Sequence, residues 1–487
     1  MSGQAWLWTP PRPTSSSAGV GVLLRSYRRT HGLTQQQLAD RLGFDQSYVS
    51  KLEGGRRAIH DISTLRHIAR ALVLPPEEVG LASGSLDERG PDAPHSEGTD
   101  RVSSSQRSWR IVREHLNSNR ITLARAAARL YPDASRIGAG LLSRPGWIFE
   151  HPVDVDDLAL SWSDLATVPA VTGTSPEGER SRPLMDDGRP FPTYTRAMRD
   201  LDRPRLFENR LSFRMLDVSR SDAGRPRMSF GHTTYFDALD VCETVAHETA
   251  AAMLRGDFTL GKLPFRRTIG DPFDLGRRVV LPSVNTLTIR HDGANASFIL
   301  HRRSAGSVAT AGGVYHVMPA GVFQPSGISP RHHDADFNIW RNIMRELSEE
   351  LLGNPEHDGS SSELIQYAET EPFRSFERAR QEGKIRVSCF GVGVDALTLF
   401  GEILSVVVVE ADVFDKLFAG LVTSNAEGTV VSFGPGRRAT DGIPFTLEAV
   451  RRLIEREPLA PSAAACLELA WRHRATLVPG LRVRAAS

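Results

Sequence analysis

Thr34–Glu53 reads TQQQLADRLGFDQSYVSKLE. Thr34 is a helix-capping residue type, and Gln37, three positions on, can reach back to it, so a T-x-x-Q capping box opens a helix here. Leu38, Ala39 and Leu42 give that helix an apolar face with a small residue at its tightest approach. Gly43 ends it where a left-handed residue is wanted. Asp45 is placed to cap a second helix whose Val49 and Leu52 turn inward. Gln46, Ser47, Tyr48, Ser50 and Lys51 are then left on the outer side. Upstream, Val22, Leu23 and Tyr27 mark a preceding helix; downstream, Ile62, Leu65, Ile68, Ala69 and Leu72 mark a fourth.

Residues 18–82 resemble the phage-repressor-like (XRE, or Cro/CI type) helix-turn-helix family. The likeness rests on LTQQQLADRLG and SKLEGGRR, with one serine shifted in register. It implies an all-α N-terminal domain that lays its third helix in the major groove of a double-stranded operator. The candidate DNA-binding residues are Gln35, Gln46, Ser47, Tyr48, Ser50, Lys51, Arg56 and Arg57. A four-helix unit that binds protein is the alternative, and charge argues against it. Residues 18–60 hold Arg25, Arg28, Arg29, Arg41, Lys51, Arg56 and Arg57 against Asp40, Asp45 and Glu53, an excess suited to phosphate contact. Operators of this family are two half-sites about one helical turn apart, so the resemblance also implies a homodimer.

Composition frames the rest. A chain of 487 residues is too long for one core and predicts two to four domains. Its apolar fraction of 40% permits real cores, without an apolar run long enough to span a bilayer. The opening MSGQAWLWTPPRPTSSS lacks the basic and apolar regions of a signal peptide. Cys242, Cys389 and Cys466 are far apart and form no metal or disulfide pattern, which fits a reducing cytoplasm. A net charge of +1 means that DNA affinity must come from a local basic face. Lys51, Lys262, Lys384 and Lys416 are the only lysines, and the arginine and alanine content is that of a GC-rich bacterial genome.

Along the chain, residues 1–17 read as a disordered tail and 83–104 as a linker, polar and punctuated by glycine and proline. Trp109, Val112, Leu116, Leu123, Ala127 and Leu130 have helical spacing, giving one long helix or a helical pair over 105–131. Residues 105–280 form a helical and mixed region without an assigned role. Within it, 170–192 read as an irregular connection, LSFRMLDV (211–218) as a strand and YFDALDVCETVAHETAAAML (235–254) as a helix. That helix concentrates Asp237, Asp240, Cys242, Glu243, His247 and Glu248. With no HExxH pair and no second cysteine at zinc spacing, these are expected on a solvated face at an acidic N-terminal end. Residues 426–487 read as a C-terminal helical extension.

RNIMRELSEELLG (341–353) is the second chemically loaded stretch. Ile339, Ile343, Leu347 and Leu351 repeat every four residues and predict a buried stripe. Glu346, Glu349 and Glu350 then converge on one helical face, where they repel unless a cation or a basic partner neutralises them. The stretch resembles the Nudix box R-E-U-x-E-E-x-G-U, with Gly353 one position late. TLTIR (286–290) and SFILHRR (297–303) look like paired strands around an HDGAN turn. VYHVMPAGVFQ resembles the family's P-G-G-x-x-E loop, with Ala320 for the first glycine and Gln324 for the glutamate. About ten extra residues rich in Pro, His and Asp follow, and Phe337 stands at the early glutamate position, with Asp334 and Asp336 close by.

The resemblance covers about residues 284–425 and implies an α+β Nudix-like domain over 281–425, a mixed sheet sandwiched by helices, in a multidomain chain. By it, Glu346, Glu349, Glu350 and the Ala320 carbonyl would hold Mg2+ or Mn2+, with Glu346 and Glu349 catalytic if the domain is a hydrolase. Glu402 and Glu410 are candidates for a downstream acid. The expected function is a cytoplasmic DNA-binding transcriptional regulator whose Nudix-like domain senses a nucleotide or phosphate metabolite. The alternatives are a metal-dependent hydrolase of a nucleoside diphosphate derivative that carries a DNA-binding domain, and a scaffold whose two domains bind protein.

Overall fold

The structure is a computed structural model. It describes residues 18–44, 46–55, 59, 62–79, 97–138, 140–164, 168–204, 207–303, 314–355, 363–419, 428–431 and 442–482. The chain forms two compact units, Met1–Ser96 and Glu97–Ser487.

In the first unit, α1 (Ala18–Thr30), α2 (Gln35–Leu42), α3 (Gln46–Glu53) and α4 (Ile62–Leu72) enclose one core. Leu24, Leu38, Ala39, Leu42, Val49, Ile68 and Ala69 are fully buried in it. Gly21 sets the crossing of α1 and α3, because a Cβ there would lie 2.0 Å from the Leu52 carbonyl oxygen. The sequence reading of α1 needs one correction. Val22 is 63% exposed and points outward, while Val20 and Leu24 take the core positions on either side.

The second unit opens with a helical pair, α5 (Glu97–Ser118) and α6 (Arg120–Ala128). The helix α5 therefore starts inside the stretch read as linker. Its first turns carry almost no apolar residue besides the buried Val102, so periodicity could not reveal them.

Among the described residues fifteen strands follow. They are β1 (Arg136–Ile137), β2 (Leu141–Leu142), β3 (Ile148–Asp154), β4 (Ala159–Trp162), β5 (Leu211–Arg220), β6 (Pro226–Thr234), β7 (Pro282–His291) and β8 (Ala296–Phe298). After them come β9 (Leu300–Arg303), β10 (Tyr315–Val317), β11 (Ala320–Val322), β12 (Ile385–Asp395), β13 (Gly401–Glu410), β14 (Gly428–Val431) and β15 (Ile443–Pro444). Nine of them make the central sheet, in the order β1-β2-β12-β13-β7-β8-β15, with β11 also on β7 and β3 also on β12.

At its centre β7 and β13 run parallel, from Pro282 opposite Gly401 to His291 opposite Glu410. Both strands are near-continuous apolar runs because both faces are covered. One face packs on Ile339, Ile343, Leu347 and Leu351, the stripe expected from sequence, and on Phe373, Phe376 and Phe414. The other packs on Val450, Leu453 and the alanine-rich helix Pro461–Arg472. The HDGAN turn joins β7 to β8 as expected, with His291 opposite Ala296.

This sheet draws strands from residues 136–154, 282–322, 385–410 and 443–444. The divisions at 280/281 and 425/426 thus fall inside one compact unit. The first segment supplies edge strands, and the last supplies a strand and a covering helical layer. Within 170–192 a short 3-10 turn forms, Pro176–Ser181, with isolated bridges from Val171 to Arg278 and from Leu184 to Pro190, before α7 (Tyr194–Leu201).

The helix α8 (Tyr235–Arg255) corrects a second expectation: Asp237 is exposed, but Asp240, Cys242, Glu243, His247 and Glu248 are buried, not solvated. Asp237 completes a capping box with Thr234. Asp240 accepts from the Thr195 amide at 2.6 Å. Glu243 lies between Arg113 and Arg120, both at 3.0 Å. Glu248 accepts from the amides of Phe265 and Arg266 in α9 (Pro264–Ile269), and His247 meets the Tyr194 hydroxyl at 3.0 Å. Helical spacing says which residues share a face. It does not say that a polar face meets water, and α5, α6 and α7 cover this one.

Candidate nucleic-acid interface

The helix α2 starts as the sequence predicts. Thr34 Oγ1 accepts from the Gln37 amide at 3.1 Å, and Gln37 Oε1 accepts from the Thr34 amide at 2.9 Å. Gly43 ends it at φ 64°, donating back to Ala39 and Asp40. Together these fix the angle at which α3 leaves α2.

Gln46, exposed at the first position of α3, donates to Gln35 Oε1 at 3.1 Å. Gln35 donates in turn to Glu53 Oε2 at 2.9 Å. Glu53 is 4% exposed and accepts both Nε and Nη2 of Arg28, at 2.6 and 2.9 Å. Burial pushes the Glu53 carboxyl up, but hydrogen bonds from Arg28 and Gln35 outweigh it and hold the group below its ordinary range. The result is a braced chain, Arg28–Glu53–Gln35–Gln46, that ends in a carboxamide at the start of α3. A side chain held this way meets a base edge with less ordering cost than a free one.

The structure thus brings Gln35 and Gln46 together. Lys51 is exposed further along α3. Tyr48 departs from the outward placement: it is half-buried, with its ring edge-on to Phe44 at 5.1 Å. Ser50 is half-buried as well. Arg56, Arg57 and the proposed cap Asp45 lie outside the described residues, as does the Ser47 side chain. Arg28 and Glu53 were missed as site residues. Counted only as charges, they neutralise each other inside the unit, leaving Arg29, Arg41 and Lys51 exposed against Asp40. The glutamate of SKLEGGRR was the available signal.

In the second unit, α10 (Pro330–Asp336) and α11 (Ile339–Glu346) precede a π turn over Leu347–Leu351. That widened turn changes the angular spacing on which an i, i+3, i+4 convergence depends. Glu346 and Glu349 are half-buried, and Glu350 is 4% exposed. Gly321 lets β11 run over the helix, since a Cβ there would lie 2.0 Å from Glu346 Oε1. The Ala320 amide N–H faces Glu350 Oε1 at 3.5 Å. Among the described residues no group of three or more His, Cys, Asp or Glu is placed to hold a metal ion. Glu346 and Glu350 both lie against β11, at Gly321 and Ala320, and with Glu349 they stay the candidate carboxylates for Mg2+ or Mn2+.

Asp336, noted near the early glutamate position, is the ion-pair partner of Arg345 at 2.9 Å. It also accepts from Ser326 and Tyr367. Burial raises the Asp336 carboxyl, and Arg345 with these hydrogen bonds pulls it below its ordinary range. This pair ties the inserted residues 325–337 to the helix that carries the acidic box. Of the two downstream acids, Glu402 on β13 accepts from Asn285 Nδ2, and Glu410 closes the same strand.

The capped pair α2–α3 packed on α1 and α4 is a helix-turn-helix DNA-binding domain, and a helix-turn-helix domain family matches residues 20–82. Two relatives align with the same part of the chain. The HTH-type transcriptional repressor RghR of Bacillus subtilis (strain 168) is 32% identical over 68 residues, 14% of this chain and 50% of the relative. The uncharacterized HTH-type transcriptional regulator y4dJ of Sinorhizobium fredii (strain NBRC 101917 / NGR234) is 45% identical over 53 residues, 11% of this chain and 68% of the relative. The chain belongs to the HTH-type transcriptional regulators.

Proposed function

We propose that the protein regulates transcription by binding an operator through α3, as a homodimer, while residues 97–487 sense a small metabolite. The observation that carries the DNA-binding part is the carboxamide of Gln46, exposed at the start of α3 and held by Gln35; a glutamine carboxamide can make two bonds to an adenine edge. The sensing part rests on the resemblance of 281–425 to Nudix domains, which points to a nucleotide or related phosphate compound. The departures from the Nudix box, Ala320 and Gln324 in the loop and Gly353 one position late, favour sensing over turnover. Among the described residues no helix is long and apolar enough to cross a membrane, consistent with action on DNA in the cytoplasm.

The test is an electrophoretic shift on the DNA upstream of the protein's own coding sequence, at fixed salt, with sedimentation to give the stoichiometry. Specific binding as two copies per site is expected, weakened by Gln46→Ala. Equal binding to unrelated DNA of the same length would defeat the proposal. Hydrolysis of nucleoside diphosphate derivatives in magnesium would replace sensing by catalysis.

A further inference from the structure

A pocket of about 580 Å³ lies where β4, β5 and β6 meet the inserted segment 325–337. Its size is that of small-molecule sites, and its lining is unusual in chemistry. Trp162, Phe213 and Phe337 supply aromatic surface, His333 and His232 supply imidazoles, and Asp164 and Asp334 stand at its edge. Among the described lining residues there is no arginine or lysine.

The rings form one array. Trp162 meets His333 edge-on at 4.0 Å and His232 at 4.6 Å, and His333 stacks parallel to Phe337 at an angle of 7°. The Trp162 indole N–H already donates to Asp164 at 2.7 Å, so what Trp162 offers a ligand is its ring. His333 Nδ1 faces Asp334 at 3.2 Å, while its Nε2 is shielded from solvent without a hydrogen-bond partner. Ile328 forms a lip that is 75% exposed. The floor is rigid: Phe213, Phe230 and Phe323 are buried beneath it, and Asp336–Arg345 anchors the segment that closes it.

We propose that this pocket binds a planar nitrogen heterocycle of nucleobase size, recognised as the uncharged base and not through a phosphate. Flat aromatic walls reward stacking. The exposed imidazole of His232 on the pocket wall can donate or accept through its neutral tautomers, and the His333 ring holds the array between Trp162 and Phe337. A phosphate would meet two carboxylates and no fixed cation, which is unfavourable. The site is separate from the acidic box, so the proposal does not depend on metal or phosphate binding there.

Titration calorimetry and tryptophan fluorescence on the full-length protein test this with free nucleobases, their nucleosides and their 5′-monophosphates. At least one base or nucleoside is expected to bind with a Kd below about 1 mM, and its 5′-phosphate no more tightly. His333→Ala should weaken binding about tenfold. Trp162→Phe should keep calorimetric binding and lose most of the fluorescence response. Melting temperatures of both variants serve as the folding control. No binding by any probe, affinity gained with the phosphate, binding unchanged in His333→Ala, or preference for tetramethylammonium would each overturn the proposal. Base binding that leaves DNA affinity unchanged would support the pocket and refute metabolite sensing, so the two readings fail separately.

Discussion

The helix-turn-helix unit and the unit of residues 97–487 treat their charged residues in opposite ways. The first holds the ion pair Arg28–Glu53 inside and turns Arg29, Arg41 and Lys51 outward. The second buries Glu243 between Arg113 and Arg120, Asp336 against Arg345, and Arg266 and Arg278 among backbone carbonyls. A small all-α unit has enough surface for its charges, so polar means outside and a face pattern reads correctly. A large layered unit covers whole helices, and there a buried charge is stable only with partners that come from distant segments.

The largest expected effect tests the second half of that contrast. Glu243→Gln leaves Arg113 with Asp202 alone and the buried Arg120 facing a neutral amide, and should cost about 3 kcal/mol, the lower end of the range for a broken buried pair. Urea denaturation of the full-length protein, followed through the transition of the larger unit, gives the value. A loss below about 1 kcal/mol would mean that the arginines find other partners, and the contrast would weaken.

The matching variant in the smaller unit is Glu53→Gln. Charge-assisted bonds of this kind contribute about 1.5 to 3 kcal/mol, and Arg28 is partly exposed, so the cost should lie at or below the lower end. The sign with pH follows from a depressed folded-state carboxyl. Its stabilisation is full at neutral pH and above the ordinary value of 4.5, and it is lost as pH falls through the lowered folded value. Melting curves of the isolated segment 18–82, with and without the substitution, should therefore converge in acid. Curves that stay parallel would place the stabilisation elsewhere.

Gln46→Ala should cost about 1 to 3 kcal/mol of specific DNA binding and relax preference at one base pair. Because Gln35 orients Gln46, the double variant Gln35→Ala with Gln46→Ala should fall short of the sum of the singles. Strict additivity in a shift assay would show that the brace does not position the reader.

The same contrast explains what was legible in the sequence. Capping box, glycine stop and apolar spacing are local signals, and they located α2, α3 and the buried face of α11 from residues close in the chain. The partners of Glu53, Glu243 and Asp336 lie 25, 130 or 123, and 9 positions away, and no local pattern names them. The extra residues 325–337 were visible as an insertion. Their role as a pocket wall was not, because the facing rings Trp162, Phe213 and His232 come from three other strands. Tyr48 shows the remaining limit: a face assignment cannot foresee that an aromatic ring folds back on Phe44.

The smallest effect is expected at Lys51, and it separates reading from holding on the DNA-facing side. Lys51 is exposed on α3 beyond the braced glutamines, and a lysine ammonium is a point charge without the fork that discriminates base edges. A phosphate contact there should add affinity for any sequence and release about one counterion. Lys51→Ala should accordingly weaken specific and unrelated DNA by the same factor. The slope of log affinity against log salt should become shallower by about one unit, with the base preference of Gln46 intact. Affinities measured on the operator and on unrelated DNA across a salt series decide it. An unchanged slope with altered sequence preference would make Lys51 a reader, and the division between a braced glutamine that selects and an exposed cation that holds would have to be redrawn.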